Sequence, residues 1–166
     1  MLLCAALTIG AGFAYAVTTQ TVTFTVNVPS VLELSTTSNA VNVTLAAADY
    51  ASSDAIVTEA LAAHQLGVRS NRTWTVSAKS NTASFAFTPL NAGDTRTKPS
   101  TDLSVRKASG TYQALTTTNF TLATGTPGGV GHSGNTFAVD YQIATDITLD
   151  PAGAYVLDVV YTLTTP

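Results

Sequence analysis

Apolar and polar residues alternate with a period of two along most of this chain. The pattern is clear near the C-terminus, where Phe137, Val139, Tyr141 and Ile143 alternate with Ala or polar residues. Successive side chains of a β-strand point to opposite faces, so such a stretch can bury one face and expose the other. The alternation therefore predicts an all-β chain.

Similar stretches, separated by turn residues, bring the number of predicted short strands to about eight to ten. Turn signals lie at residues 80–81, 91–94, 109–110 and 151–153. The other candidate strands lie at residues 22–28, 31–34, 41–45, 74–78, 85–87, 103–105, 120–122 and 157–163. Many short strands with regular turns are typical of an antiparallel β-sandwich, here of immunoglobulin-like or jelly-roll type.

Residues 52–64 have helical as well as strand features. Ser52 or Ser53 could cap a helix, and Asp54 would then lie in its first turn. The alternative is a strand that leads into residues 64–69. We predict a short helix followed by a strand.

The composition argues against several classes of protein. Charged residues make up 10% of the 166 residues, against about 25% in an average soluble protein. Thirty threonines supply uncharged polar side chains, which suit the outer face of a strand. A net charge of −3 without a basic stripe argues against nucleic-acid binding. Few Glu, Lys and Arg residues disfavour a helical bundle.

Residues 1–16 are predicted to be a cleaved signal peptide, which indicates export from the cell. Residues 2–16 carry no charge and end in the small residues Ala14 and Ala16, flanking Tyr15 as at a signal-peptidase site. The run is shorter than the roughly 20 residues of a membrane-spanning helix. Residues 17–166 are predicted to form one domain without a membrane span. Cys4, the only cysteine, lies in the leader, so this domain has no disulfide.

The motifs that resemble catalytic or cofactor sites lack the required context. Gly129, Gly131 and Gly134 match a dinucleotide-binding pattern, but a strand rather than a helix follows them. Ser133 lies in a partial nucleophile motif, which Asn135 breaks because a glycine is required there. The two histidines are not spaced for a zinc site. We therefore predict no enzymatic activity, no cofactor and no metal site.

Two features are candidates for contact with a partner. Trp74, the only tryptophan, is predicted to be a core anchor, with a sugar-stacking platform as the alternative. Val22, Phe24 and Val26 form one face of a long alternating stretch that also includes Val28. We predict that this strand pairs within its own sheet. The alternative is that it adds to the sheet of a neighbouring molecule.

Two short motifs carry a resemblance to known proteins. Trp74-Thr75-Val76 lies midway along the chain and Tyr161-Thr162-Leu163 lies near its C-terminus. The pair resembles the two W-x-L motifs of WxL-domain proteins, each motif differing at one position. The layout also resembles secreted β-sandwich proteins of the spore-coat-U and fimbrial type, without their cysteine pair. The resemblance implies attachment to the cell surface or assembly there, with Trp74 and Tyr161 as candidate partner-binding residues.

The predicted function is that of a secreted, non-enzymatic structural or adhesion protein of a bacterial cell surface. One alternative is a module that binds a cell-wall polysaccharide such as peptidoglycan. Another is self-association, as a subunit of a surface fibre assembled by β-strand addition through residues 17–28.

Overall fold

The computed structural model describes residues 20–166, and this part of the chain is all-β with antiparallel sheets. This confirms the predicted structural class. The predicted cleavage site at Ala14 and Ala16 lies outside the described residues. The strands are β1 (Leu32–Thr36), β2 (Ala55–Ser70), β3 (Trp74–Ser80), β4 (Ala86–Pro89), β5 (Leu103–Lys107), β6 (Gln113–Ala114), β7 (Phe120–Gly125), β8 (Thr136–Asp146), β9 (Gly153–Val156) and β10 (Val159–Thr164). Ala47–Tyr50 and Ser100–Asp102 form short 3-10 helices.

Within residues 20–166 the strands form three sheets. The largest has the order β1-β2-β8-β5-β6, a second has the order β10-β3-β7, and β4 pairs with β9. Every pairing is antiparallel. The edges of the first two sheets are therefore β1, β6, β10 and β7.

One apolar cluster joins the two larger sheets. Inward-facing side chains of both sheets contribute, because the alternation of each strand places every second residue on the core side. Its buried members are Leu66, Val68, Trp74, Val76, Ala78, Val105, Leu115, Ala123, Phe137, Val139 and Tyr141. Residues on β1, β7 and β10 pack against this cluster but remain partly exposed.

The helix predicted within residues 52–64 is wrong, because Ala55–Ser70 forms a single strand with one bulge. β2 pairs with β8 along most of its length, and this pairing outweighs the helical propensity of its alanines. The short strand predicted at residues 41–45 is also absent from the structure. Gly129, Gly131 and Gly134 lie in the loop between β7 and β8, and a strand follows them, as predicted.

A bulge interrupts β2 between Ala60 and His64. Ala62 there has a φ of 48°, a left-handed conformation that is unusual for a residue with a Cβ. Its N–H donates a hydrogen bond to Asp140 Oδ1 at 2.8 Å. The other oxygen of Asp140 accepts a bond from Arg106 Nε at 2.9 Å. The paired carboxylate thus holds the bulge and fixes where His64 enters the core.

Candidate functional site

The stretch before β1 exposes a row of apolar side chains. Val22 and Phe24 are each 88% exposed, Val26 is 65% exposed and Val28 is 73% exposed. Residues 20–31 belong to no strand. The prediction that Val22, Phe24 and Val26 lie in a strand of their own sheet is therefore wrong. The period of two creates an apolar face, but no described element of this chain covers it.

Asn71 holds the end of this stretch against the β2–β3 turn. Its Nδ2 donates to the carbonyl of Pro29 at 2.7 Å, and its Oδ1 accepts from the N–H of Val31 at 3.0 Å. The Asn71 N–H also donates to the Val31 carbonyl, at 3.3 Å. The chain is thus fixed from Pro29 onward. Residues 20–28, which we call the donor segment, precede the fixed point.

β1 presents an apolar face that is only partly covered. Leu32 and Leu34 pair with Ser70 and Val68 of β2, so all four side chains point to the core side of the sheet. Ser70 and Val68 are buried, whereas Leu32 is 40% exposed and Leu34 is half-buried. Within the described part of the chain, no strand pairs with the outer edge of β1.

β10 shows the same asymmetry in the second sheet. Tyr161 and Leu163 pair with Ala78 and Val76 of β3, which are fully buried. Tyr161 and Leu163 themselves are only half-buried, as is Val159. The outer edge of β10 pairs with no described strand, and β10 lies beside β1. We use the name edge cleft for four partly exposed side chains that pack against the common core, Leu34 of β1 and Val159, Tyr161 and Leu163 of β10.

Tyr161 connects the edge cleft to a buried aromatic group. Its hydroxyl shares a hydrogen bond with the Tyr141 hydroxyl at 2.5 Å. The ring of His64 lies 5.6 Å from the Tyr161 ring and 5.7 Å from the Tyr141 ring. His64 is buried, and its Nδ1 has no hydrogen-bond partner among the described residues.

Burial determines the protonation of this group. It lowers the pKa of His64, because the charged imidazolium would lose its hydration. Burial raises the pKa of Tyr161, and the adjacent Tyr141 hydroxyl raises it further. Burial also raises the pKa of Tyr141, although the hydrogen bond with Tyr161 opposes this. At neutral pH both phenols and the imidazole are uncharged, which is the state suited to a core.

Trp74 is a core residue in the structure. It is 1% exposed, and its ring stacks on that of Phe137 with 6.3 Å between the ring centroids. Its Nε1 donates to the Thr126 carbonyl at 3.0 Å. Gly125 of β7 lies against the indole, and a Cβ there would be 2.1 Å from Trp74 Cζ2. Contact between Trp74 and a sugar would require this packing to open. Of the two motif residues, only Tyr161 lies at an accessible edge.

The remaining candidates are not among the residues of the edge cleft. His132 and Ser133 are exposed in the β7–β8 loop, where His132 Nδ1 contacts the Ser133 carbonyl at 3.1 Å. In residues 20–166 no group of three His, Cys, Asp or Glu residues is arranged to hold a metal ion. The same residues include no helix that is long and apolar enough to cross a membrane.

Sequence reasoning missed the edge cleft, because exposure of one sheet edge leaves no local signal.

No protein-family model matches this chain, and a search of curated proteins found no match.

Proposed function

We propose that this chain is an exported structural subunit of a surface fibre. In this proposal the domain is an incomplete β-sandwich of immunoglobulin-like type, and the donor segment of a neighbouring copy supplies the missing strand. The observation that carries the proposal is that two apolar surfaces of the chain are exposed and would cover each other on association. The donor segment exposes an apolar face. The edge cleft exposes half-buried apolar residues on two strands that have no outer partner within residues 20–166.

The donor segment has the properties of an added strand. Val22, Phe24, Val26 and Val28 lie on one face when the backbone is extended. Burying a side chain of this kind contributes about 1.5–3 kcal/mol. An added strand also gains main-chain hydrogen bonds along the open edge that receives it. These gains favour assembly over continued exposure.

The edge cleft has the properties of an acceptor. β10 spans six residues, which is close to the length of the apolar part of the donor segment. Leu34 of one sheet and Val159 and Leu163 of the other each pack, partly exposed, against the common core. A strand seated between β1 and β10 would cover these side chains and close an edge that would otherwise remain open.

The geometry at Asn71 favours donation to another molecule. To fold back on its own β1, the donor segment would need a tight turn through residues 29–31. Asn71 binds the Pro29 carbonyl and the Val31 N–H in that stretch, and both groups would have to be free to rearrange. Donation to a second copy keeps these bonds intact.

Truncation of the donor segment tests the proposal. We expect the mature protein to form polymers in size-exclusion chromatography and electron microscopy, and a form lacking residues 17–28 to remain a folded monomer. An unfolded truncated form, or one that still polymerises, would contradict the proposal.

Point variants provide a matched control for the truncation. The double variant Phe24→Asp, Val26→Asp places charge on the apolar face and should abolish polymers. The double variant Thr23→Asp, Thr25→Asp adds the same charge to the opposite face and should retain them. Equal assembly by the two variants would show that the apolar face does not drive association.

A further inference from the structure

A buried lysine, Lys98, forms ion pairs with two carboxylates beside the β8–β9 connection. The Lys98 side chain is 3% exposed, and its Nζ lies 2.6 Å from Asp150 Oδ2 and 2.9 Å from Asp102 Oδ2. It also donates to the carbonyl of Ala144 at 2.7 Å. Asp150 is 6% exposed, and its other oxygen accepts from Arg96 Nε at 2.8 Å. Sequence reasoning missed this group, because Lys98 and Asp150 are far apart in the chain.

We propose that Lys98 and Asp150 condense to form an intramolecular amide cross-link between Nζ and Cγ, with Asp102 as the proton relay. The two reacting groups are already in contact, and each side chain is almost entirely removed from water. Holding two reactants in this arrangement replaces a bimolecular encounter with a step inside one molecule. The inference does not depend on the proposed fibre.

Charge and burial favour the product. A buried ammonium and carboxylate have lost most of their hydration, and their mutual attraction must compensate for that loss. Condensation removes both charges and releases one water molecule. Arg96 and Asp102 remain as a pair of opposite charges, so the group is neutral before and after the reaction. The single N–H of the amide keeps the Ala144 carbonyl as its acceptor.

The step balances with these residues alone. Asp102 accepts one proton from the Lys98 ammonium and passes it to Oδ2 of Asp150, giving a free amine and a carboxylic acid. The Nζ lone pair attacks Cγ, a C–N bond forms, and the carbonyl electron pair moves to Oδ1. A second proton moves from nitrogen through Asp102 to Oδ2. The Cγ–Oδ2 bond then breaks, water leaves, and the carbonyl re-forms.

Arg96 is the positioning group for this reaction. Its Nε donates to Oδ1, the oxygen that becomes negatively charged during the attack and remains in the amide. Burial by itself would raise the pKa of Asp150, but the bonds from Lys98, from the Asp146 N–H and from Arg96 give a net lowering. The carboxylate therefore begins ionised, and the proton it needs comes from Lys98.

The cross-link would tie the segment before β5 to the β8–β9 connection. A bond that closes a long loop restricts the unfolded chain and thereby stabilises the folded one. Residues 17–166 contain no cysteine, so a disulfide cannot serve this purpose. An amide also resists reduction by thiols, which a disulfide does not.

Mass spectrometry of the denatured protein tests the proposal. We expect the measured mass to be lower, by one water molecule, than the mass calculated for the same chain without a cross-link. Trypsin should release residues 97–106 joined to residues 108–166, because no Lys or Arg follows Lys107. Fragmentation should place the bond at Lys98 and Asp150. A full mass, or a loss of water located elsewhere in the chain, would overturn the proposal.

Three variants separate the roles of the residues. Lys98→Arg keeps a buried cation but should show the full mass, as should Asp102→Asn. The control Lys79→Arg changes a lysine outside the cluster and should retain the cross-link. Circular dichroism checks that each variant is folded. Formation of the cross-link in folded Asp102→Asn would overturn the proton relay.

Discussion

At the residue scale, the burial of His64 makes the stability of the fold depend on pH. His64 lies between two tyrosine rings, and its Nδ1 has no protein partner in the described structure. Burial lowers the pKa of His64 in the folded state below the ordinary value of 6.5. The unfolded chain therefore binds more protons than the folded chain at mildly acidic pH.

The sign of the pH effect follows from this difference. The free energy of unfolding should fall as pH is lowered from neutrality through 6.5 toward the lowered pKa of His64. Urea unfolding at a series of pH values measures this slope. His64→Gln should flatten it, whereas His132→Gln in the exposed loop should not. A slope that persists in His64→Gln would contradict this account.

Gly125 permits the close approach of Trp74 to β7. A Cβ at this position would lie within 2.1–2.9 Å of three atoms of the indole, and that ring is fixed by Phe137 and the Thr126 carbonyl. Overpacking of a core typically costs about 1–3 kcal/mol. We expect Gly125→Ala to reduce the free energy of unfolding by roughly this amount.

The fluorescence of Trp74 can follow urea unfolding of this variant, since it is the only tryptophan. Gly129→Ala is the control, because a Cβ at Gly129 meets no atom within 4 Å. If the two alanine variants have equal stability, the contact with Trp74 is not tight in solution.

At the scale of the element, β1 and β10 each have a paired strand on only one side in the described part of the chain. Their core-facing apolar side chains are half-buried or, at Leu32, 40% exposed, while the residues paired with them on β2 and β3 are buried. The difference arises because an inner strand is covered from both sides and an edge strand from one. A charged side chain at such an edge remains hydrated in a monomer. It disfavours the addition of a further strand, because that strand would cover the charge.

Lysine substitutions in the edge cleft test whether a further strand covers β1 and β10. We expect Leu34→Lys and Leu163→Lys to give folded monomers that do not polymerise, because the half-exposed side chain can reach water until a donated strand covers it. Thr164→Lys, on the exposed face of β10, should polymerise normally. Analytical ultracentrifugation distinguishes these states. Normal assembly by Leu34→Lys would exclude β1 from the acceptor.

The strands that are predicted best from the sequence are those whose apolar face packs against the core in the structure. β3, β8 and β10 alternate regularly, and each lies where one face meets the core. The donor segment has an equally regular pattern and yet forms no strand. The alternation specifies an apolar face, but it does not specify a neighbouring strand that would pair with the segment. β2 was mispredicted in its first half, where pairing with β8 overrides helical propensity. The Lys98 cluster depends on contacts over long chain distances, which periodicity does not encode.

At the scale of the whole molecule, the domain and the donor segment are expected to stabilise each other. A ligand that binds only the folded state adds about 2.7 kcal/mol when present at 100 times its Kd. A peptide of residues 17–28 should therefore raise the Tm of the form that lacks them. Differential scanning calorimetry measures the shift.

A peptide with Asp in place of Phe24 and Val26 is the matched control and should leave the Tm unchanged. An equal shift with both peptides would indicate association that does not use the apolar face. No shift with either peptide would indicate that the edge cleft does not accept this strand.

The hydrogen bonds of Asn71 have a consequence for the polarity of an assembly. They fix the point at which the donor segment leaves the domain. In the proposed assembly, the donating and receiving surfaces are therefore different parts of one molecule. Contacts of this kind repeat head to tail and extend without closing unless a rotation happens to form a ring. A filament built in this way has two chemically distinct ends, one with an unfilled acceptor and one with an unplaced strand. Its growth could be stopped at either end by a different kind of capping protein.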